Sequence, residues 1–211
     1  MSSNHNVEQG DHISRIAEKH HFFDYNIIWD DGANAALKAK RDNPHVLNPG
    51  DVVVIPDKTE RKETRPTTKL HAFKVKLQKL QLWIEVHNYD DEVAADADCV
   101  FKVEATETNL KVGPAGFVHK PILVDDAEGH IKVETLNIDT AIKIGYLDPV
   151  EEPTGQHARL NNLGYNAGTV GSPDPDQLKS AVEEFQCDND LPLTGDCDAG
   201  TQAKLKELHK C

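Results

Sequence analysis

Apolar and polar positions alternate along this chain with periods that change from segment to segment. From Gln156 to His209 the spacing is helical and falls into three short stretches. The first, around Gln156 to Leu163, places Leu160 and Leu163 on one face and stops at Gly164, a residue suited to the left-handed position past a helix end. The second opens with Asp174 as N-cap and Pro175 at the first helical position. Its Leu178, Ala181, Val182 and Phe185 then fall at i, i+3, i+4 and i+7, one buried stripe. Leu191 and Leu193 lie in the connection, Gly195 turns the chain, and a third helix carries Leu205 and Leu208. Helices this short are marginal alone, so the three are expected to pack on each other.

The N-terminal part reads differently. VEQGDHISRIAEKH predicts a short strand from Val7, a Gly-Asp turn, and a helix capped by Asp11 with Ile13, Ile16 and Ala17 on its apolar face. FDYNIIWDD predicts a second helix, and LNPGDVVVIP a turn followed by the β-branched strand Val52 to Ile55, ended by Pro56. Residues 1–57 thus form a βααβ module. Residues 58–69 are charged, proline-bearing and aperiodic, which is linker chemistry. Across residues 70–150, AFKVKLQ, LQLWIEVHN, DCVFKVEAT, HIKVETLNI and AIKIGYL alternate at period two, five or more short strands that predict a small β-sandwich. With residues 151–211 as the three-helix domain, the expected fold class is multidomain α+β.

Composition narrows the function classes. A length of 211 residues with 38% hydrophobic content leaves room for two or three small domains. No apolar run approaches a membrane span, and MSSNHNVEQGDHIS has neither the basic nor the apolar region of a secretion signal. The expectation is synthesis in the cytoplasm without a signal peptide and no membrane insertion. A formal net charge of −13 argues against nucleic acid as a partner.

Catalytic signatures do not surface. There is no His-Glu-x-x-His, Gly-x-Ser-x-Gly, phosphate-cradling loop or Cys-x-x-Cys, so no enzyme activity, metal site or cofactor is expected. Among eleven histidines, His20-His21 is conspicuous, but adjacent helical residues diverge and make a poor two-ligand site. Asp90-Asp91-Glu92 and Asp125-Asp126 read as turn acids in solvent. Four cysteines allow three pairings, and a bridge from Cys187 to Cys197 would clamp the second helix to the third, whereas reducing cytosol would keep all four as thiols.

Two ends of the chain carry family resemblances. Leu163, Gly164, Tyr165, Ala181, Phe185, Gln186, Leu191, Thr194, Gly195, Asp198 and Thr201 stand in the register Leu-Gly-Tyr, Ala-x-x-x-Phe-Gln, Leu-x-x-Thr-Gly, Asp-x-x-Thr. This resembles the three-helix peptidoglycan-binding domain found beside many cell-wall hydrolases. Val7, Gly10-Asp11, Ile16-Ala17 and Leu47-x-Pro49-Gly50-Asp51…Ile55-Pro56 resemble a LysM domain, a module for polymers of N-acetylglucosamine. His12 departs from the hydroxyl residue usual after Gly-Asp, and NAALKAKRDNPHV lengthens the middle. The LysM resemblance implies a carbohydrate groove lined by Gly10, Asp11, His12 and Ile13, facing Asn43, Pro44, His45 and Val46. GPAGFVHKPILVDDAEGHIKVETL is similar, more loosely, to the middle β-domain of proteins encoded with contractile injection machines.

Taken together, the arrangement resembles accessory proteins of type VI secretion and related contractile injection systems. That resemblance implies a non-enzymatic component or cargo that engages peptidoglycan, delivered to the periplasm or a target envelope by the machine. Two linked wall-binding modules would raise avidity through effective concentration. The alternative is a protein-binding adaptor that joins an effector or toxin to the secretion spike, without sugar affinity.

Overall fold

A computed structural model describes residues 2–59, 62, 64–72, 80–88 and 92–211. Six α-helices and eight strands occur among the described residues, the strands in small antiparallel sheets, so the chain is α+β and multidomain. Spatially it forms two compact units. The first comprises Met1–His5, Ile13–Ala35 and Val52–Gly145, and the second Asn6–His12, Ala36–Asp51 and Tyr146–Cys211.

In the first unit, β1 (Ser3–Asn6) pairs with β2 (Val52–Ile55). The first strand therefore precedes Val7 instead of starting there, and Val7 bonds the segment before β2, donating to the Asp51 carbonyl and accepting the Gly50 N–H. Helix α1 (Ile13–Lys19) buries Ile13, Ile16 and Ala17, as its apolar spacing predicts. Helix α2 (Asn26–Trp29) buries Ile28 and Trp29, and a 3-10 turn follows at Gly32–Asn34. Asn34 ties that turn to β2: its amide nitrogen donates to the Ile28 and Val54 carbonyls at 2.8 and 2.7 Å, and its oxygen accepts the Val54 N–H at 2.8 Å. A buried amide with every partner in place fixes local geometry that apolar contacts alone would leave loose.

The β part of this unit holds β3 (Leu80–Glu85), β4 (Asp98–Val103), β5 (Thr106–Lys111), β6 (Phe117–Ile122), β7 (Glu128–Val133) and β8 (Ile138–Lys143). Strands β3 and β6 form one antiparallel ribbon, and the order β5-β4-β7-β8 makes a second, four-stranded sheet. Cys99, Phe101 and Val103 of β4, Ile131 and Val133 of β7, and Val118 and Ile122 of β6 share one core. Their alternate spacing is what a strand with one buried face requires. The predicted strand AFKVKLQ and the Asp90-Asp91 pair lie outside the described residues. Asp126 closes a turn by accepting the Leu123 N–H at 2.7 Å, the role expected of a turn acid.

The second unit is organised on α4 (Pro153–Asn162), α5 (Pro175–Asp188) and α6 (Ala199–His209). Leu160, Ala167, Ala181, Val182, Phe185 and Leu205 form its core, with Leu163, Tyr165, Leu178 and Leu191 against them. Helix α4 begins three residues before the expected Gln156, at Pro153 in the first helical position. Leu208 remains 38% exposed and is not a core residue. The lengthened middle of the N-terminal module supplies α3 (Ala35–Lys40), and the loop after it belongs to this unit.

Candidate functional site

The polar motif residues of the three-helix domain build one rigid turn. Gln186, fully buried on α5, sends its amide nitrogen to Thr194 Oγ1, Asp196 O and Thr201 Oγ1 at 2.9, 3.0 and 2.9 Å. Its oxygen accepts the Thr194 and Gly195 N–H groups at 2.9 and 3.0 Å. Gly195 has φ +69°, the left-handed conformation that favours glycine, and a Cβ there would displace the flexible Lys179 side chain, 2.7 Å away. Asp198 then caps α6, accepting the Thr201 N–H at 2.9 Å and the Thr201 hydroxyl at 3.0 Å. Those bonds from Thr201 hold the Asp198 carboxyl below the usual carboxylate range. The spacing Phe-Gln, Thr-Gly, Asp-x-x-Thr is thus one hydrogen-bond network.

On the other side of the domain, Tyr165 packs edge-on against Phe185 with ring centroids 5.3 Å apart and donates to Asp188 Oδ2 at 3.2 Å. Burial, with the Asp188 charge adding to it, pushes the Tyr165 phenol up to about 12. Arg159 is buried and donates to the carbonyls of Asp148, Gly155 and Cys211 at 2.8, 2.9 and 3.2 Å. Burial lowers its pKa, and the surrounding negative charges of Cys211, Glu151 and Asp148 oppose that shift. The helix can sit this low on the chain because residue 155 is glycine: a Cβ there would meet the Pro149 carbonyl oxygen at 2.0 Å.

The two loops expected to hold sugar are placed less favourably. His12 and His45 do come together, with ring centroids 5.8 Å apart. However, His12 is only 4% exposed, Ile13 is wholly buried, and Gly10 and Val46 are buried too. Gly10 lies under Tyr146, whose ring would be 3.1 Å from any Cβ added there. Asp11 accepts the Glu8 N–H of its own loop at 3.1 Å. Asn43 closes its own loop by accepting the His45 N–H at 2.9 Å, and Pro44 and His45 are half-buried. Burial lowers the His45 pKa. Asn43 and Val46 also line a polar cavity of about 30 Å³ with Lys40, Arg41, Glu151 and Arg159. That space suits a water molecule and is far too small for a pyranose. Of the eight residues, Gly10, His12, Ile13 and Val46 are thus buried, while Asp11, Asn43, Pro44 and His45 stay partly exposed.

Residues 157–205 match the model of the family described as "Putative peptidoglycan binding domain". The match starts and ends on buried residues, His157 and Leu205, and spans the Gln186 network, so what it registers is largely the scaffold. No curated protein and no solved structure matched significantly.

Below this matched domain, an ionic cluster holds the loop after α3. Arg41 Nε and Nη2 donate to Asp51 at 2.7 and 3.2 Å, both side chains being buried, and Lys40 reaches the same carboxylate at 3.1 Å. Burial pulls the Asp51 pKa upward, but hydrogen bonds from Arg41, the Asn48 N–H and Lys40 outweigh it and leave it lowered. Arg41 also approaches Glu151 at 3.8 Å, Asn48 donates to Glu152 at 3.1 Å, and Lys206 pairs with Asp42. All four cysteines are thiols, Cys187 exposed and Cys197 half-buried, so no bridge clamps α5 to α6. His20 turns to His5 (3.3 Å between ring nitrogens) and not to His21, and among the described residues no group of three metal-ligating side chains converges.

Sequence reading also passed over Trp83. In LQLWIE the indole falls on the polar phase of the alternation, with Gln81 and Glu85, while Leu80, Leu82 and Ile84 face the core. An aromatic side chain on the solvent phase of a strand was the available signal.

Proposed function

We propose that this protein is a non-enzymatic peptidoglycan-binding accessory or cargo protein of a type VI secretion or related contractile injection system. The observation that carries the peptidoglycan part is the family match over residues 157–205. It is supported by the rigid Thr194-Gly195 turn, which presents exposed polar groups on a fixed frame, a favourable arrangement for binding without ordering cost. The injection-system part rests on the resemblance of the whole arrangement, LysM-like module, β-domain and three-helix domain. On this reading the chain is made in the cytoplasm and carried to the periplasm or a target envelope with the spike. Binding, not bond cleavage, is the activity proposed.

A second reading is favoured by one observation. The burial of His12, Ile13 and Val46, and the cover of Tyr146 over Gly10, fit a LysM-like module kept as a structural or protein-binding element, an adaptor without sugar affinity of its own. Pelleting the full chain with purified sacculi separates the readings. Retention on sacculi, above an acidic control protein of similar charge, is expected; a chain that stays in the supernatant with the control points to the adaptor.

A further inference from the structure

We propose that the outward face of the β3–β6 ribbon is a glycan-stacking platform centred on Trp83, a carbohydrate site separate from both end domains. Antiparallel register sets Trp83 directly across from His119, with Glu85 opposite Phe117 and Gln81 opposite Pro121, all on the face away from the core. The indole and imidazole stack, with centroids 4.8 Å apart and planes 20° from parallel. Phe117 meets the indole edge-on at 6.1 Å. Despite both contacts Trp83 remains 59% exposed, whereas the other tryptophan, Trp29, is 5% exposed. Beside it lies an open cleft of about 410 Å³, to which Gly113, Pro114 and Lys111 contribute. That volume falls within the roughly 300–1,000 Å³ usual for small-ligand sites.

The chemistry selects the occupant. A flat aromatic surface flanked by amide and imidazole side chains (Gln81, His119) suits a pyranose, whose C–H face packs on the ring while its hydroxyl and acetamide groups bond at the edge. Nucleic-acid bases also stack on indole, but they come with phosphates. The cation lining the cleft, Lys111, is already paired with Asp98 at 2.8 Å, so the phosphate that accompanies each base would find that counter-charge taken. A neutral glycan meets no such penalty. The choice of an N-acetylglucosamine polymer among glycans rests on the peptidoglycan reading above.

The test uses the full chain and chitotetraose. Tryptophan emission is expected to change saturably with the sugar, and Trp83→Phe, which leaves only buried Trp29, is expected to lose that change. By calorimetry, Trp83→Ala is expected to weaken binding at least tenfold and His119→Ala severalfold; both residues are exposed, and an unchanged far-ultraviolet spectrum checks the fold. Unchanged emission and heat, or equal affinity of Trp83→Ala and wild type, overturns the proposal. So does an emission change given by a proline-rich peptide and not by the sugar, which would make the platform a peptide site. Sacculus pelleting run in parallel keeps the two proposals apart. A chain that pellets but does not respond at Trp83 loses only the platform. A chain that binds chitotetraose through Trp83, yet shows no ligand contact in residues 157–205, keeps the platform and loses the role of the matched domain.

Discussion

Replacing Gln186 by leucine removes an amide that makes five hydrogen bonds while leaving side-chain volume nearly unchanged. At about 1 kcal/mol net for each, the total would reach roughly 5 kcal/mol. Thr194 and Asp196 are exposed, so water can replace part of what they lose. Thr201 is buried but keeps its own bond to Asp198. What remains uncompensated is chiefly the pair of turn N–H groups facing an alkyl side chain, which brings the expected loss to about 3 kcal/mol. That is a change of about two orders of magnitude in the folding equilibrium of the domain. Urea unfolding of the full chain, followed by helical circular dichroism, should show the helical transition move down by about 1.5–3 M. Hydrogen exchange at the Thr194 and Gly195 amides should accelerate correspondingly. A midpoint shifted by less than about 0.3 M, with both amides as protected as before, would refute the role of Gln186 as the hub.

Three other outcomes follow from the same geometry. Gly155→Ala forces a methyl against the Pro149 carbonyl and should destabilise the second unit by about 3 kcal/mol, more than ordinary overpacking, seen as a lowered melting temperature. Asp51→Asn removes the buried charge partner of the Arg41 guanidinium, leaving it only the exposed Glu151 at 3.8 Å, and should cost about 3 kcal/mol in chemical denaturation. His209 has its pKa lowered to about 4 by burial and by Arg159, and its Nε2 accepts from Asn162, so the folded state holds it neutral. The unfolded chain protonates it near 6.5, so stability present above that pH is lost as pH falls from 6.5 toward 4, by about 3 kcal/mol. His209→Gln should flatten that stretch of the pH–stability curve measured by urea unfolding.

Much of the second unit was legible in the sequence because its signals are local. Asp174-Pro175 cap α5 as the residues dictate, with the Asp174 carboxylate accepting the Asp176 and Gln177 N–H groups. The strand Val52–Ile55 and the alternating β4 also stand where their patterns put them, whereas the strand read in HIKVETLNI stops at Val133 and turns through Glu134–Leu136 before β8. The start of α4 was readable in Pro153 but was obscured by a polar, glycine-bearing first turn. The cover of Tyr146 over Gly10 was not readable, since it depends on residues more than a hundred positions apart meeting in space. Likewise, Gln186 appeared as one member of a motif, and only the structure shows that it joins the other members. Trp83 was visible as a break in the polar phase, although nothing local says that His119 and Phe117 would gather around it.

Whether residues 157–205 hold peptidoglycan, as proposed, is tested most directly by hydrogen–deuterium exchange of the full chain with and without soluble peptidoglycan fragments. The account predicts slowed exchange in peptides from this segment, concentrated near the Thr194-Gly195 turn and the start of α6. Retention on sacculi with no protection anywhere in residues 157–205 would contradict it.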